Sequence, residues 1–317
     1  MELDTIYNED CLTGMQRIPD GSVDCIICDL PYGTVKGMAI EGWKNKGDTC
    51  QWDEVIPTEP LFEQYTRILR QNGVAILFSQ EPYTHNLRSH GDSGFRFVYP
   101  LIWIKDNFAN AFSASKAPVS YFEDMSVFRK VYDMNNQSPL RDYSLQVLQF
   151  IGKPKREIIN EVGQCIDHFF RHSSSQFAIP TRETYDELIK RYGIDKMQGF
   201  KSYNELERSC EYATFNLPEG VKVKSNVFQY AKDRDNEHPT QKPIGLIQDL
   251  VRTYSNPNDV ILDNCIGSGT TAVAALREKR HFIGFELNRD YYDIALRILA
   301  ARHALKALSA HTTDPFT

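Results

Sequence analysis

Asp29, Pro31, Tyr32 and Gly33 follow the apolar run Cys25–Cys28. Their types suit a turn that handles a ligand. A continuous apolar run fits an interior parallel strand, and Pro31 with Gly33 takes the chain out of the sheet directly afterwards. Asp29 therefore stands at a strand's carboxyl end, the edge where open α/β sheets bind ligands. Alone, an acid-x-Pro-aromatic sequence also fits an ordinary strand exit. A second stretch points the other way.

Val260–Asp263 reads as another strand, followed by Gly267-Ser268-Gly269-Thr270-Thr271 and a helical pattern from Ala272 to Glu278. Glycines let the backbone approach a ligand closely, and amides opening a helix donate to a carboxylate or phosphate. The next strand, His281–Phe285, ends in Glu286. An acid about 20 residues beyond such glycines commonly bonds ribose hydroxyls. The pattern implies a nucleotide-like cofactor.

With these stretches in hand, the chain resembles the S-adenosylmethionine-dependent N6-adenine and N4-cytosine DNA methyltransferases. Asp29-Leu30-Pro31-Tyr32 matches their Asp/Asn/Ser-Pro-Pro-Tyr/Phe signature except for Leu30. Asp263-Asn264-Cys265-Ile266-Gly267-Ser268-Gly269-Thr270-Thr271 matches their Asp-Pro-Phe-x-Gly-Ser-Gly-Thr-Thr loop at both ends, with Asn264 and Cys265 in the middle as departures. His238-Pro-Thr240-Gln241-Lys242-Pro243 matches a third element without change. Because the catalytic motif precedes the cofactor loop, the chain looks like a phage-type member of the permuted β class. The resemblance covers residues 1–130 and 226–303.

It implies a Rossmann-like class I α/β fold with a mostly parallel seven-stranded sheet, circularly permuted, carrying an inserted helical target-recognition region. The expected divisions are a catalytic half at 1–130, the helical insert at 131–225, a cofactor half at 226–310 and a disordered tail at 311–317. Asp263, Gly267, Ser268, Gly269, Thr270, Thr271 and Glu286 would hold the cofactor, joined through the resemblance by Asp10, His238, Thr240, Gln241 and Lys242. Asp10 equally suits a helix N-cap before Cys11.

The net charge of −6 does not advertise a nucleic-acid binder, so its distribution carries more information. Between Arg129 and Lys232, 16 Lys+Arg stand against 13 Asp+Glu, whereas the rest of the chain holds 20 against 29. The relatively basic middle is the natural DNA-facing part. Lys153, Lys155 and Arg156 open its first helical pattern and are nominated for phosphate contacts, with Lys36, Lys44 and Lys46 in the polar loop after Gly33 and Lys105 beyond Trp103. The sequence of 317 residues is 41% hydrophobic, enough for a substantial core. It has no apolar run of spanning length and opens without the features of a signal peptide, so a cytoplasmic, nucleoid-associated bacterial or phage protein is expected. Seven cysteines without regular spacing argue against a disulfide framework, and Cys25-x-x-Cys28 reads as buried thiols. No metal is indicated.

Periodicity assigns a helix to Glu59–Arg70, ended by Asn72-Gly73 before the strand Val74–Phe78, and further strands to Val98–Ile104 and Met125–Phe128. In the middle it gives helices at Lys153–His172 and Thr184–Tyr192, and a third opened by the capping box Ser202-x-x-Glu205. A helix follows Pro243, and an amphipathic one runs from Tyr291 to Leu308. Glu123, Asp124, Val127 and Phe128 match a Glu-Asp-x-x-Val-Phe family element to which no chemical role attaches.

The resemblance implies methyl transfer to an amino group of a base flipped out of double-stranded DNA. Asp29 and the Leu30 carbonyl would accept the amino hydrogens, Pro31 would restrict the turn, and Tyr32 would stack on the base. Asp at the first motif position favours adenine over cytosine. An RNA or protein-amide methyltransferase and a non-catalytic DNA-binding remnant are the rival readings. A homodimer and a cognate restriction endonuclease are candidate partners; a membrane is not.

Overall fold

A computed structural model describes residues 1–33, 36, 53–91, 94–109, 114–131, 139–174, 176–209, 214–233 and 241–310, the side chains at 109, 139, 207–209 and 301–310 excepted. The expected tail at 311–317 and most of the polar loop after Gly33 lie outside them. The chain divides into two compact units, one formed by Met1–Val131 with Ala213–Thr317 and the other by Tyr132–Tyr212.

The first unit is built on β1 (Thr5–Tyr7), β2 (Val23–Asp29), β3 (Leu69–Ser79), β4 (Phe95–Ala109), β5 (Ser120–Lys130), β6 (Val227–Gln229), β7 (Val260–Asp263) and β8 (His281–Phe285). They form one sheet in the order β1-β8-β7-β2-β3-β5-β4-β6. The sheet thus has eight strands among the described residues where seven were expected. It is also mixed: β5 runs antiparallel to both β3 and β4, while every other neighbouring pair is parallel. The extra strand is the short β6, whose Val227–Gln229 pairs with Ile102–Ile104 of β4.

Both faces of the sheet are covered, which explains the unbroken apolar run in β2. Cys25 and Ile27 join a core with Leu246, Leu250 and Ala274 of α8 (Ile244–Tyr254) and α9 (Thr270–Arg277). Ile26 and Cys28 face Met15, Tyr65 and Ile68 of α1 (Cys11–Met15) and α2 (Thr58–Ile68). Alternation continues in β3, where Val74, Ile76 and Phe78 enter the first core and Ala75 and Leu77 the second. α3 (Tyr83–Ser89) follows β3, and α10 (Arg289–Ala310) closes the described chain.

The Asn72-Gly73 break falls inside β3. Leu69 pairs with Val23 and Val74 with Cys25, so the extra residues bulge out, with Asn72 at φ 60°. Strand pairing therefore begins at Leu69, ahead of the break, and resumes at Val74, where the strand was expected.

The second unit contains α4 (Pro139–Ile151), α5 (Lys155–Val162), α6 (Arg182–Tyr192) and α7 (Tyr203–Ser209) around Tyr143, Val147, Ile158, Phe169, Tyr185 and Leu188. The single helix expected at Lys153–His172 is instead α5, a break at Gly163 with φ 116°, and a 3-10 turn at Gln164–Ile166. Ile158, Ile166, Phe169 and Phe170 are buried nonetheless. Apolar spacing survives a glycine break that helix periodicity conceals. The capping box forms, with the Ser202 amide donating to Glu205 Oε2 at 2.7 Å.

Candidate active site

The carboxyl ends of β2, β3, β7 and β8 open on a cleft of about 830 Å³ in the first unit. Asp29, Leu30, Pro31 and Tyr32 line it with Asp10, Lys105, Glu123, Lys232, Gln241, Lys242, Asp263, Ser268, Thr270, Thr271 and Glu286. Stretches separated by more than 200 residues thus meet in one site. His238, Thr240, Lys44 and Lys46 lie outside the described residues.

β2 stops at Asp29 because the buried Leu30 side chain turns into the α2-side core and Pro31 follows. Gly33, at φ 74°, donates its amide to Asp53 Oδ1 at 2.9 Å. Asp53 is 2% exposed. It fixes the exit of the turn, a role that the Trp52-Asp53 pair does not reveal in sequence.

The Tyr32 hydroxyl donates to Asp29 Oδ1, and the Lys242 ammonium donates to Oδ2. Lys242 also approaches Glu123 Oε2 at 3.2 Å, and Lys105 bonds Glu123 Oε1 at 3.2 Å. Two carboxylates and two ammonium groups therefore form a balanced, largely buried set. Burial pushes the Asp29 carboxyl upward, opposed by Lys242. Burial also penalises charge on Glu123, but Lys242 and Lys105 outweigh it and hold that carboxyl low. Lys242 loses solvation, yet the two acids raise its pKa and keep it protonated.

Two of the expected contact residues have acid partners inside the cleft. Lys105, nominated for a phosphate, is 5% exposed and internal, bonded to Glu123. Lys242, assigned by resemblance to the cofactor, bonds the candidate catalytic acid and lines the cleft. Burial of a lysine is stable where an acid pairs with it, and both acids come from distant strands.

At the other end, the Cys265 amide bonds Asp263 Oδ1 at 3.1 Å. Burial pushes the Asp263 carboxyl up to about 6. The loop then turns through Gly267 at φ 52° and Gly269 at φ 84° into α9. Glu286, directly after β8, accepts the Gly267 amide at 2.9 Å and the Asn288 amide at 2.8 Å. Burial pushes it up to about 7 despite those bonds. Asp10 caps α1, accepting the Thr13 amide at 2.9 Å, while also lining the cleft.

Lys36 is paired with Glu54 at 3.3 Å on the surface. In the second unit Lys153 pairs with Glu161 at 2.7 Å and Lys155 with Asp167 at 2.8 Å, while Arg156 is exposed. Sequence reasoning missed Glu123 and Lys232 as cleft residues. Glu123 lies near the start of β5, which reaches the ligand edge only because that strand runs backwards, and periodicity carries no strand direction. Lys232 had a signal: it follows Val227–Tyr230, which β4 and the Trp103 Nε1 bond to the Tyr230 carbonyl at 2.8 Å hold in place. Burial and the nearby Lys105 and Lys242 depress its pKa, against the pull of Glu123. Among the described residues no cluster of His, Cys, Asp and Glu is arranged to hold a metal ion. No described helix is long and apolar enough to cross a membrane.

A DNA methylase family model, that of N6-adenine and N4-cytosine methyltransferases, matches residues 23–297. The chain belongs to this family. It is similar to the type II methyltransferase M.BglII of Bacillus subtilis, 27% identical over 300 residues, covering 94% of this chain and 69% of that protein. The type II methyltransferase M.HindIII of Haemophilus influenzae is 24% identical, covering 94% and 95%. DNA adenine methyltransferase YhdJ of Escherichia coli is 25% identical, covering 94% and 83%. Among solved structures, the M1.HpyAVI–SAM complex aligns with a TM-score of 0.51 at 18% identity, covering 92% of this chain and 98% of that one. The cytosine-N4-specific PvuII DNA methyltransferase aligns with a TM-score of 0.51 at 13% identity, covering 92% and 84%. The fold of this chain is that of class I α/β methyltransferases.

Proposed function

We propose that this DNA methylase transfers a methyl group from S-adenosylmethionine to the N6 amino group of an adenine flipped out of double-stranded DNA. The observation that carries the reading is the position of Asp29, held by Tyr32 and Lys242, in the same cleft as the glycine loop and Glu286. An aspartate rather than a serine at the head of the motif favours adenine. The catalytic turn precedes the glycine loop in the chain, which supports a place in the permuted β group.

The residues at the glycine-loop end fit such a cofactor. Asp263 and Glu286 are acids whose affinity for protons is raised by burial without an adjacent cation, so a positively charged ligand complements them. Asp263, Glu286 and the Gly267–Thr271 loop would hold it, with Asp10 and Gln241 nearby. When bound, it supplies a methyl group activated by a sulfonium centre.

The remaining work belongs to the protein. An exocyclic amino group is a poor nucleophile because its lone pair is delocalised into the ring. Each oxygen of an ionised carboxylate has two acceptor sites, so Asp29 can take an amino hydrogen while keeping Tyr32 and Lys242. The Leu30 carbonyl takes the second hydrogen, which explains why leucine replaces proline: the group needed is backbone. Fixed acceptors stabilise the positive charge that grows on the nitrogen. The proton released afterwards passes to Asp29, whose raised proton affinity suits it. Holding both reactants in one cleft makes the transfer effectively unimolecular.

The helical unit carries target recognition through Lys153, Lys155 and Arg156, with Lys36, Lys44 and Lys46 touching backbone beside the flipped base. Homodimerisation and a partner endonuclease belong to the same proposal. The test is to incubate the protein with unmethylated DNA and isotopically labelled S-adenosylmethionine, digest to nucleosides and identify the labelled one by mass spectrometry. Label in N6-methyladenine supports the reading. Label in N4-methylcytosine keeps the chemistry and overturns the base.

A further inference from the structure

The glycine loop departs from its family pattern at Asn264 and Cys265, and the fold gives both residues one neighbourhood. The Asn264 amide nitrogen lies 3.7 Å from Cys11 Sγ and 3.5 Å from Cys265 Sγ. Its oxygen accepts the Tyr65 hydroxyl at 2.5 Å, which fixes the amide's orientation. Cys11 opens α1 and Cys265 follows β7, and both line the cleft beside Asp10, Asp263 and Glu286. Both thiols are free. Cys28, on neighbouring β2 at 1% exposure, also hydrogen-bonds Cys265 but does not line the cleft.

We propose that Cys11 and Cys265 form a peroxide-sensitive thiol pair whose disulfide closes the cofactor end of the cleft. The effect on cofactor rests on the reading that S-adenosylmethionine occupies that end; the formation of the disulfide does not.

The two sulfurs are unequal. Hydrogen bonding from Cys265 is the main cause that lowers the Cys11 pKa, and the same contact raises that of Cys265. Cys11 is therefore the more readily deprotonated of the two and the attacking sulfur. Its sulfur attacks one oxygen of hydrogen peroxide, the O–O bond breaks, and the departing hydroxide takes up the thiol proton as water. Cys11 is left as a sulfenic acid. The Cys265 sulfur then attacks it, forming the S–S bond, breaking the S–O bond and releasing a second water with the Cys265 proton. Two thiols lose two electrons and the peroxide gains two. The resulting bond, about 2.05 Å long, ties the β7–α9 loop to the start of α1 at the cofactor end of the cleft.

The experiment treats the full chain with a few equivalents of hydrogen peroxide, maps cross-linked peptides under non-reducing conditions, and measures S-adenosylmethionine binding before and after dithiothreitol. A Cys11–Cys265 peptide, an affinity reduced at least tenfold, and recovery on reduction are expected. Cys265→Ser and Cys11→Ser should abolish the cross-link, whereas Cys165→Ser, at the exposed cysteine of the helical unit, should retain it. A different pair, over-oxidised Cys11 without a cross-link, or a cross-linked protein that binds cofactor normally would overturn the proposal. Failure of untreated protein to bind S-adenosylmethionine, with the cross-link present, would instead count against the functional reading.

Discussion

Lys242 donates a hydrogen bond to Asp29 although 213 residues separate them in the chain. The same ammonium lies 3.2 Å from Glu123, so a single cation from the segment before α8 holds two acids from β2 and β5. Removing it leaves two carboxylates facing each other in a poorly solvated site, where the loss of one partner of a buried pair costs about 3–5 kcal/mol.

Lys242→Met should therefore lower both the melting temperature and kcat. A fall in kcat of about a hundredfold is expected, matching the loss of roughly 2.7 kcal/mol of transition-state positioning. Cofactor affinity should change by less than about threefold, since the bonds of Lys242 to Asp29 and Glu123 serve the acceptor end of the cleft. Calorimetric titration with S-adenosylmethionine beside a single-turnover assay separates these effects.

Lys105 makes the same kind of internal bond with Glu123, which sets it apart from the surface lysines. Lys105→Ala should destabilise the fold by about 3 kcal/mol while leaving the salt dependence of DNA binding unaltered. A phosphate-binding lysine would instead reduce that slope by about one. Denaturant melts and DNA titrations across several salt concentrations distinguish the two.

Asp263 and Glu286 set a pH dependence. Both carboxyls are raised in the fold, to about 6 and about 7. Below roughly pH 4 they are protonated in folded and unfolded chains alike. Between there and about pH 7 the unfolded chain gives up its protons first, so their contribution to stability is lost as pH rises. Cationic cofactor prefers the ionised acids and releases protons on binding. Its affinity should increase about tenfold from pH 6 to pH 8, and titrations in buffers of different ionisation enthalpy should register that release.

Gly269 has φ 84°, and an added Cβ would meet Ala295 at 3.2 Å. Gly269→Ala combines left-handed strain with a tight contact from α10, a cost of about 1–3 kcal/mol. It should weaken S-adenosylmethionine binding more than DNA binding, measured separately for each ligand.

Legibility in the sequence followed the range of the forces involved. β2, β7 and β8, with Asp29 and Glu286 at their ends, could be read because apolar runs and terminating acids are local patterns. The Gly267–Thr271 loop was visible for the same reason. Glu123 acquires its place through the reversed direction of β5, and Lys242 acquires its partners through chain closure over 213 residues. Neither is encoded by local spacing. α4 was missed, and α5 was read too long because burial of Phe169 and Phe170 continues past the break at Gly163.

The most direct test of the account is single-turnover methylation by Asp29→Ala, with S-adenosylmethionine and DNA affinities measured on the same preparation. Loss of N6-methyladenine formation by at least a thousandfold, with both affinities within about threefold of the unmodified protein, is the predicted result; it corresponds to about 4 kcal/mol of lost transition-state stabilisation. Methylation persisting within tenfold of the unmodified rate would contradict the assignment of Asp29 as the acceptor of the target amino group.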